Sequence, residues 1–122
     1  MPDRQAYRGA LEAVDRILNR GDDADDVLRE VVAVLSDRAG FDWAGIAFVE
    51  GDHLQLGPSA GTRMGDGDSV PVVYDGRCVA ELQVEPGVAD DQDGRAFLER
   101  VAVLVSAHCL VGWDTGGDAW QP

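Results

Sequence analysis

Chemistry in this chain of 122 residues would have to come from a short list of side chains: two thiols, two imidazoles and three groups of aspartates. A cysteine does nucleophilic or redox work as an accessible thiolate, and disulfide exchange also needs a resolving partner. Cys78 falls in register with Ala80, Leu82 and Val84 on the apolar side of a predicted strand. A buried, inert thiol is therefore expected there, with a reactive one as the alternative. Cys109 and His108 lie on the apolar surface of a predicted helix. No Cys, His or acid cluster surrounds His108 at metal-ligand spacing, so it reads as a core or interface histidine.

The aspartates invite a calcium reading, most of all Asp66 and Asp68 among glycines. A calcium site wants about six to eight oxygens, and the EF-hand loop wants a further acid and a distant Glu. Asp91-Gln92-Asp93-Gly94 matches half of such a loop, but its first position would be Ala89 and its last Arg100. Asp22, Asp23, Asp25 and Asp26, like Asp90, Asp91 and Asp93, stand directly before apolar-periodic segments and read as helix caps. No metal, cofactor or catalytic residue is expected. One further grouping is open to a ligand. Trp43, Tyr74 and Arg77, with His53 at a rim, would line a shallow cup that holds a small organic molecule. Otherwise Trp43 simply covers the outer face of a small sheet.

These side chains need elements to hold them. Phe41 to Gly61 reads as a hairpin: Ile46 and Phe48 alternate with Gly45, Ala47 and Val49, and Gly51-Asp52 makes the turn. Leu54 and Leu56 alternate on the return strand, which Pro58 should end or confine to an edge. A second hairpin runs from Val70 to Glu85 around Asp75-Gly76, with Cys78, Ala80, Leu82 and Val84 on one face and Arg77, Glu81, Gln83 and Glu85 on the other, toward water. A first helix spans 3 to 20, with Tyr7, Leu11, Val14 and Leu18 in one stripe and Gly21 as its stop. A second covers 24 to 38 and buries Val27, Leu28, Val31, Val32 and Leu35. The last covers 91 to 111. Its apolar residues spread over more than half its circumference, so it must bury one side on the sheet and the other on the first helix or a second subunit.

The sum is an α+β layer, an antiparallel sheet with N- and C-terminal helices packed on one face. Residues 1–112 make one domain and 113–122 a partly disordered tail. Seventeen Asp and six Glu stand against ten Arg and no Lys, a formal charge of -13. Nucleic-acid binding needs a basic stripe, which is absent, and anionic lipid is disfavoured for the same reason. No apolar run reaches a membrane span and no signal peptide is visible, so a cytoplasmic protein with reduced thiols is expected.

Three stretches, DWAGIAFVEGDHLQLGP at 42–58, VPVVYDGRCVAELQVEP at 70–86 and DDQDGRAFLERVAVLV at 90–105, resemble the GAF domain family. Within it, the wording is most similar to the free methionine-R-sulfoxide reductases, through Phe41, Trp43, Gly45, Leu56, Gly57, Pro58 and Gly61. In the reductases a long segment between the hairpins carries the catalytic cysteines. Here only residues 59 to 69 intervene, without a cysteine. The resemblance thus implies a minimal, non-catalytic regulatory, sensory or dimerisation module that passes its signal to a separate protein, with or without a small-molecule ligand. A thiol-dependent methionine sulfoxide reductase is the alternative. GAF domains commonly pair through their terminal helices, which points to a homodimer seam at Leu11, Val14, Leu18, Val101, Val105 and His108.

Overall fold

The computed structural model describes residues 4–20, 23–63, 65, 67–88 and 90–113. Gly21, Asp22, Asp66, Ala89 and the tail from 114 onward lie outside the described residues, and with them the expectations placed on a Gly21 helix stop and a disordered tail. The order is α1 (Arg4–Asn19), α2 (Ala24–Asp37), β1 (Trp43–Glu50), β2 (His53–Gly61), β3 (Asp68–Tyr74), β4 (Arg77–Glu85) and α3 (Gln92–Val105), closed by a 3-10 segment, Ser106–Trp113. The four strands form one antiparallel sheet in the order β2-β1-β4-β3.

Alternation in sequence becomes two faces in space. Ala44 and Ile46 sit opposite Val84 and Leu82 and join Val70, Val72 and Ala80 in the core. Against this face α2 packs on β1 and β2, and α3 packs on β3. The second apolar side of α3 is met by α1, which lies on α2 and α3. The core therefore sits between sheet and helices, with Tyr7, Leu28, Leu35, Phe97 and Leu98 inside it.

Turn chemistry fixes the hairpins. Asp75 and Gly76 both take positive φ, 54° and 77°, as a tight two-residue hairpin turn demands. Pro58 lies within β2, on the sheet edge where its missing N–H disrupts no ladder. The register slips beside it, between Gly45 and Ala47.

Three expectations need correction. The last helix does not stay α-helical to 111. It tightens at Ser106, whose hydroxyl donates to the Val103 carbonyl at 2.9 Å, a local bond that competes with the helical ladder. Asp23 occupies the N-cap of α2 without a side-chain capping bond; there the acids act through charge, and Asp25 pairs with Arg29 at 2.8 Å. Glu85 does not face water and is only 3% exposed, for reasons given next.

Candidate functional site

The face of the sheet away from the helices carries the candidate site. Trp43 begins β1 and pairs in register with Glu85 at the end of β4, so both side chains leave the same face at the same end. The indole lies along its own strand over Gly45. A Cβ at Gly45 would come within 2.7 Å of the ring carbons, so glycine is what lets the ring lie flat. Over the indole sits the Arg63 guanidinium, its central carbon 4.2 Å from a ring centroid. Arg63 Nε donates to Glu85 Oε2 at 2.8 Å, and the Gly65 N–H donates to Glu85 Oε1 at 3.0 Å. A buried carboxylate needs such partners. Together they leave Trp43 only 4% exposed.

The connection that brings Arg63 there is tied at both ends. The Thr62 N–H donates to the Asp42 carbonyl at 2.9 Å. Gly67 passes so close to the Val84 carbonyl that a Cβ would strike it. Asp68 accepts from the Val88 N–H at 2.7 Å; its carboxylate ties two segments together. Among the described residues, no group of three or more His, Cys, Asp or Glu is placed to hold a metal. Beside the Arg63–Glu85 pair lies a polar pocket of about 170 Å³, lined by Arg63, Gly67, Asp68, Ser69, Gln83 and Val84.

The other residues read from sequence as ligand contacts are elsewhere. Tyr74 and Arg77 face each other across the β3–β4 turn, and His53 pairs with Glu50 beside the β1–β2 turn, 3.6 Å from Asp52. Both turns lie at the end of the sheet away from Trp43, roughly 25 Å along the strands at about 3.3 Å per residue. Trp43 thus shares its neighbourhood with Arg63 and Glu85, not with Tyr74, Arg77 or His53. Arg63 is the single cation between Arg38 and Arg77 in the sequence, and that isolation was the available signal.

The thiols are also placed. Cys78 is exposed, which corrects the expectation of burial. An irregularity between Val72 and Val73 leaves Val79 without a partner on β3; Val79 turns into the core and the phase of the strand shifts, putting Cys78 outside. Its Sγ donates to the Ala80 carbonyl at 3.4 Å. Cys109 is fully buried in the core beneath the other face, and burial pushes its thiol pKa up to about 12.

On the helical layer, Val14, Val101 and Val105 are fully buried within the single chain, while Leu11 and Leu18 are half-buried against the core. His108 is half-buried, with an Nδ1 that has no hydrogen-bond partner among the described residues. Tyr7, Arg8, Leu11, Asp93, Ala96 and Phe97 line an open groove of about 280 Å³ between α1 and α3. Behind it, Tyr7 stacks on Phe97 at 4.9 Å and donates its hydroxyl to Asp91 at 2.6 Å. Asp91 also caps α3 by accepting from the Gly94 N–H. The Tyr7 bond, then the Gly94 bond, hold its carboxyl below the usual range.

No family model matches the sequence and no curated protein does. Solved structures do. The chain is similar to free methionine-R-sulfoxide reductase from Neisseria meningitidis in complex with its substrate, at 20% identity and TM-score 0.73, over 89% of this chain and 92% of that one. It is similar to the GAF domain of an Acinetobacter phosphoenolpyruvate-protein phosphotransferase at 15% identity and TM-score 0.72, over 97% and 99%. A GAF domain from A. aeolicus in an inactive state aligns at 12% identity and TM-score 0.70, over 85% and 95%. The chain has the GAF fold.

Proposed function

We propose that this GAF-fold chain is a non-catalytic regulatory module that works as a symmetric pair. The observation that carries the non-catalytic half is the disposition of the thiols. Cys78 is exposed on one side of the sheet and Cys109 is buried in the core on the other. Thiol-based sulfoxide reduction needs an activated thiolate within reach of a resolving thiol. A thiol with its pKa pushed up to about 12 serves in neither role. The connection between β2 and β3, where the resemblance puts the reductases' cysteines, here carries Arg63 onto Trp43 instead.

The paired half is supported by the α1–α3 groove. Leu11 lines it and is only half-buried, and a second copy related by a two-fold axis would cover it. Of the seam residues expected from sequence, Leu11, Leu18 and His108 retain surface for this role. Sedimentation equilibrium tests it. The wild type is expected as a dimer and Leu11→Glu as a folded monomer. A wild-type monomer at every concentration, or a Leu11→Glu dimer, would remove the paired reading.

A further inference from the structure

Four large apolar side chains stand in water toward the hairpin-turn end of the sheet. Leu54, Leu56, Val73 and Tyr74 are between 41% and 48% exposed. Three of them share one face. Residues paired across an antiparallel ladder leave the same side of the sheet. Leu56 pairs with Ala47, Ala47 with Glu81, and Glu81 with Pro71. These four make a row across all four strands, on the face away from the helices. Leu54 pairs with Val49, and Val73 with Cys78, in a second row nearer the turns. The other face of the same strands is taken by α2 and α3. A sheet face that keeps leucine and valine in water marks an interaction surface.

Charge says what covers it. Glu81 stands within the first row, half-buried. The two hairpin turns add Glu50, Asp52 and Asp75 beside Arg77 and His53. A second copy would set these acids against their own like, in a chain of formal charge -13. Anionic lipid is repelled for the same reason. A basic segment is attracted. At the other end of this face the chain covers itself by that chemistry: the Arg63 guanidinium lies over the Trp43 indole and donates to Glu85. We propose that the surface formed by Leu54, Leu56 and Val73 docks a basic amphipathic helix of a partner protein. The apolar stripe of the helix lies across these three residues, and its Lys or Arg side chains reach Glu81 and the acids of the turns. The helix adds a third layer to the sheet. The surface lies across the sheet from the α1–α3 groove, so docking and pairing can fail separately.

The probe is a fluorescein-labelled Leu/Lys amphipathic helical peptide followed by anisotropy, with a Leu/Glu peptide of the same apolar face as control. Wild type is expected to bind the Leu/Lys peptide saturably, with a Kd on the order of tens of micromolar, and to leave the Leu/Glu peptide free. Leu54→Ser combined with Leu56→Ser should weaken binding at least about tenfold. Glu81→Lys should weaken it at least about fivefold. Asp15→Lys makes the same change in net charge at an exposed position of α1 and should shift it less than about twofold. Cys78 is exposed on the proposed surface, so bound peptide should slow its reaction with an uncharged dipyridyl disulfide. That rate is read on the wild type and decides even where a variant does not fold. No saturable binding, equal losses from Glu81→Lys and Asp15→Lys, no loss from the serine pair, or an unchanged Cys78 rate at saturation overturns the proposal.

Discussion

Glu85→Gln isolates the charge of the buried carboxylate at nearly constant volume. In the wild type Glu85 accepts hydrogen bonds from the Arg63 Nε at 2.8 Å and from the Gly65 N–H at 3.0 Å. A glutamine has one carbonyl oxygen for these two donors, and its own N–H₂ would be aimed at one of them. The charge-assisted bond alone is worth about 1.5–3 kcal/mol, and the lower end applies because Arg63 is half in water, where solvent screens the pair. One unmet buried donor adds about 1 kcal/mol. The cation–π contact survives in part and returns some tenths. The expected loss is about 2 kcal/mol, or a melting temperature lower by roughly 8 °C for a domain of this size. Urea unfolding should show it as a lower midpoint with an unchanged slope. Arg63→Met completes a double-mutant cycle with an expected coupling near 1 kcal/mol. A Glu85→Gln protein within about 0.5 kcal/mol of wild type, or additive single changes, would refute the account of why this carboxylate is buried.

Asp91→Ala removes both the cap of α3 and the Tyr7 bond and should cost about 2 kcal/mol. Because the folded state holds the Asp91 carboxyl below its usual value, its contribution is complete above the unfolded pKa and fades as pH falls through the folded one. Acid titration followed by circular dichroism should therefore show a shallower loss of stability below about pH 4 in Asp91→Asn than in wild type. A disulfide-exchange reagent should titrate one thiol per native chain, abolished by Cys78→Ser, with Cys109 reacting only on unfolding; two native thiols would contradict the burial of Cys109. Gly67→Ala drives a Cβ into the Val84 carbonyl. It should lower stability by about 1–3 kcal/mol and raise the accessibility of Trp43 to acrylamide, measured by tryptophan quenching.

Local rules made much of this fold legible. Asp75-Gly76 announced its turn because few residue pairs accept two positive φ values. The stripe of Val27, Leu28, Val31, Val32 and Leu35 announced the buried face of α2. The two-sided apolar surface of α3 announces two partners, the sheet and either the first helix or a second subunit, and α1 takes the second side. What failed to show was non-local or marked by no residue type. The shift in β4 at Val79 has no glycine to betray it, yet it moves Cys78 from core to solvent. Glu85 follows the alternation of a water-facing residue; partners distant in sequence, Arg63 and the Gly65 N–H, explain its burial. Trp43 opens β1, while the residues that sequence groups with it, Tyr74, Arg77 and His53, lie at the far end of the sheet. Parity fixes the face of a sheet and says nothing about position along it.

The most direct test of the non-catalytic reading is turnover of free methionine-R-sulfoxide by the reduced protein with a dithiol reductant in excess. Wild type and Cys78→Ser are expected to give the same rate as buffer alone. Turnover by the wild type that disappears in Cys78→Ser would contradict it, and would make the exposed thiol on β4 the centre of a reductase.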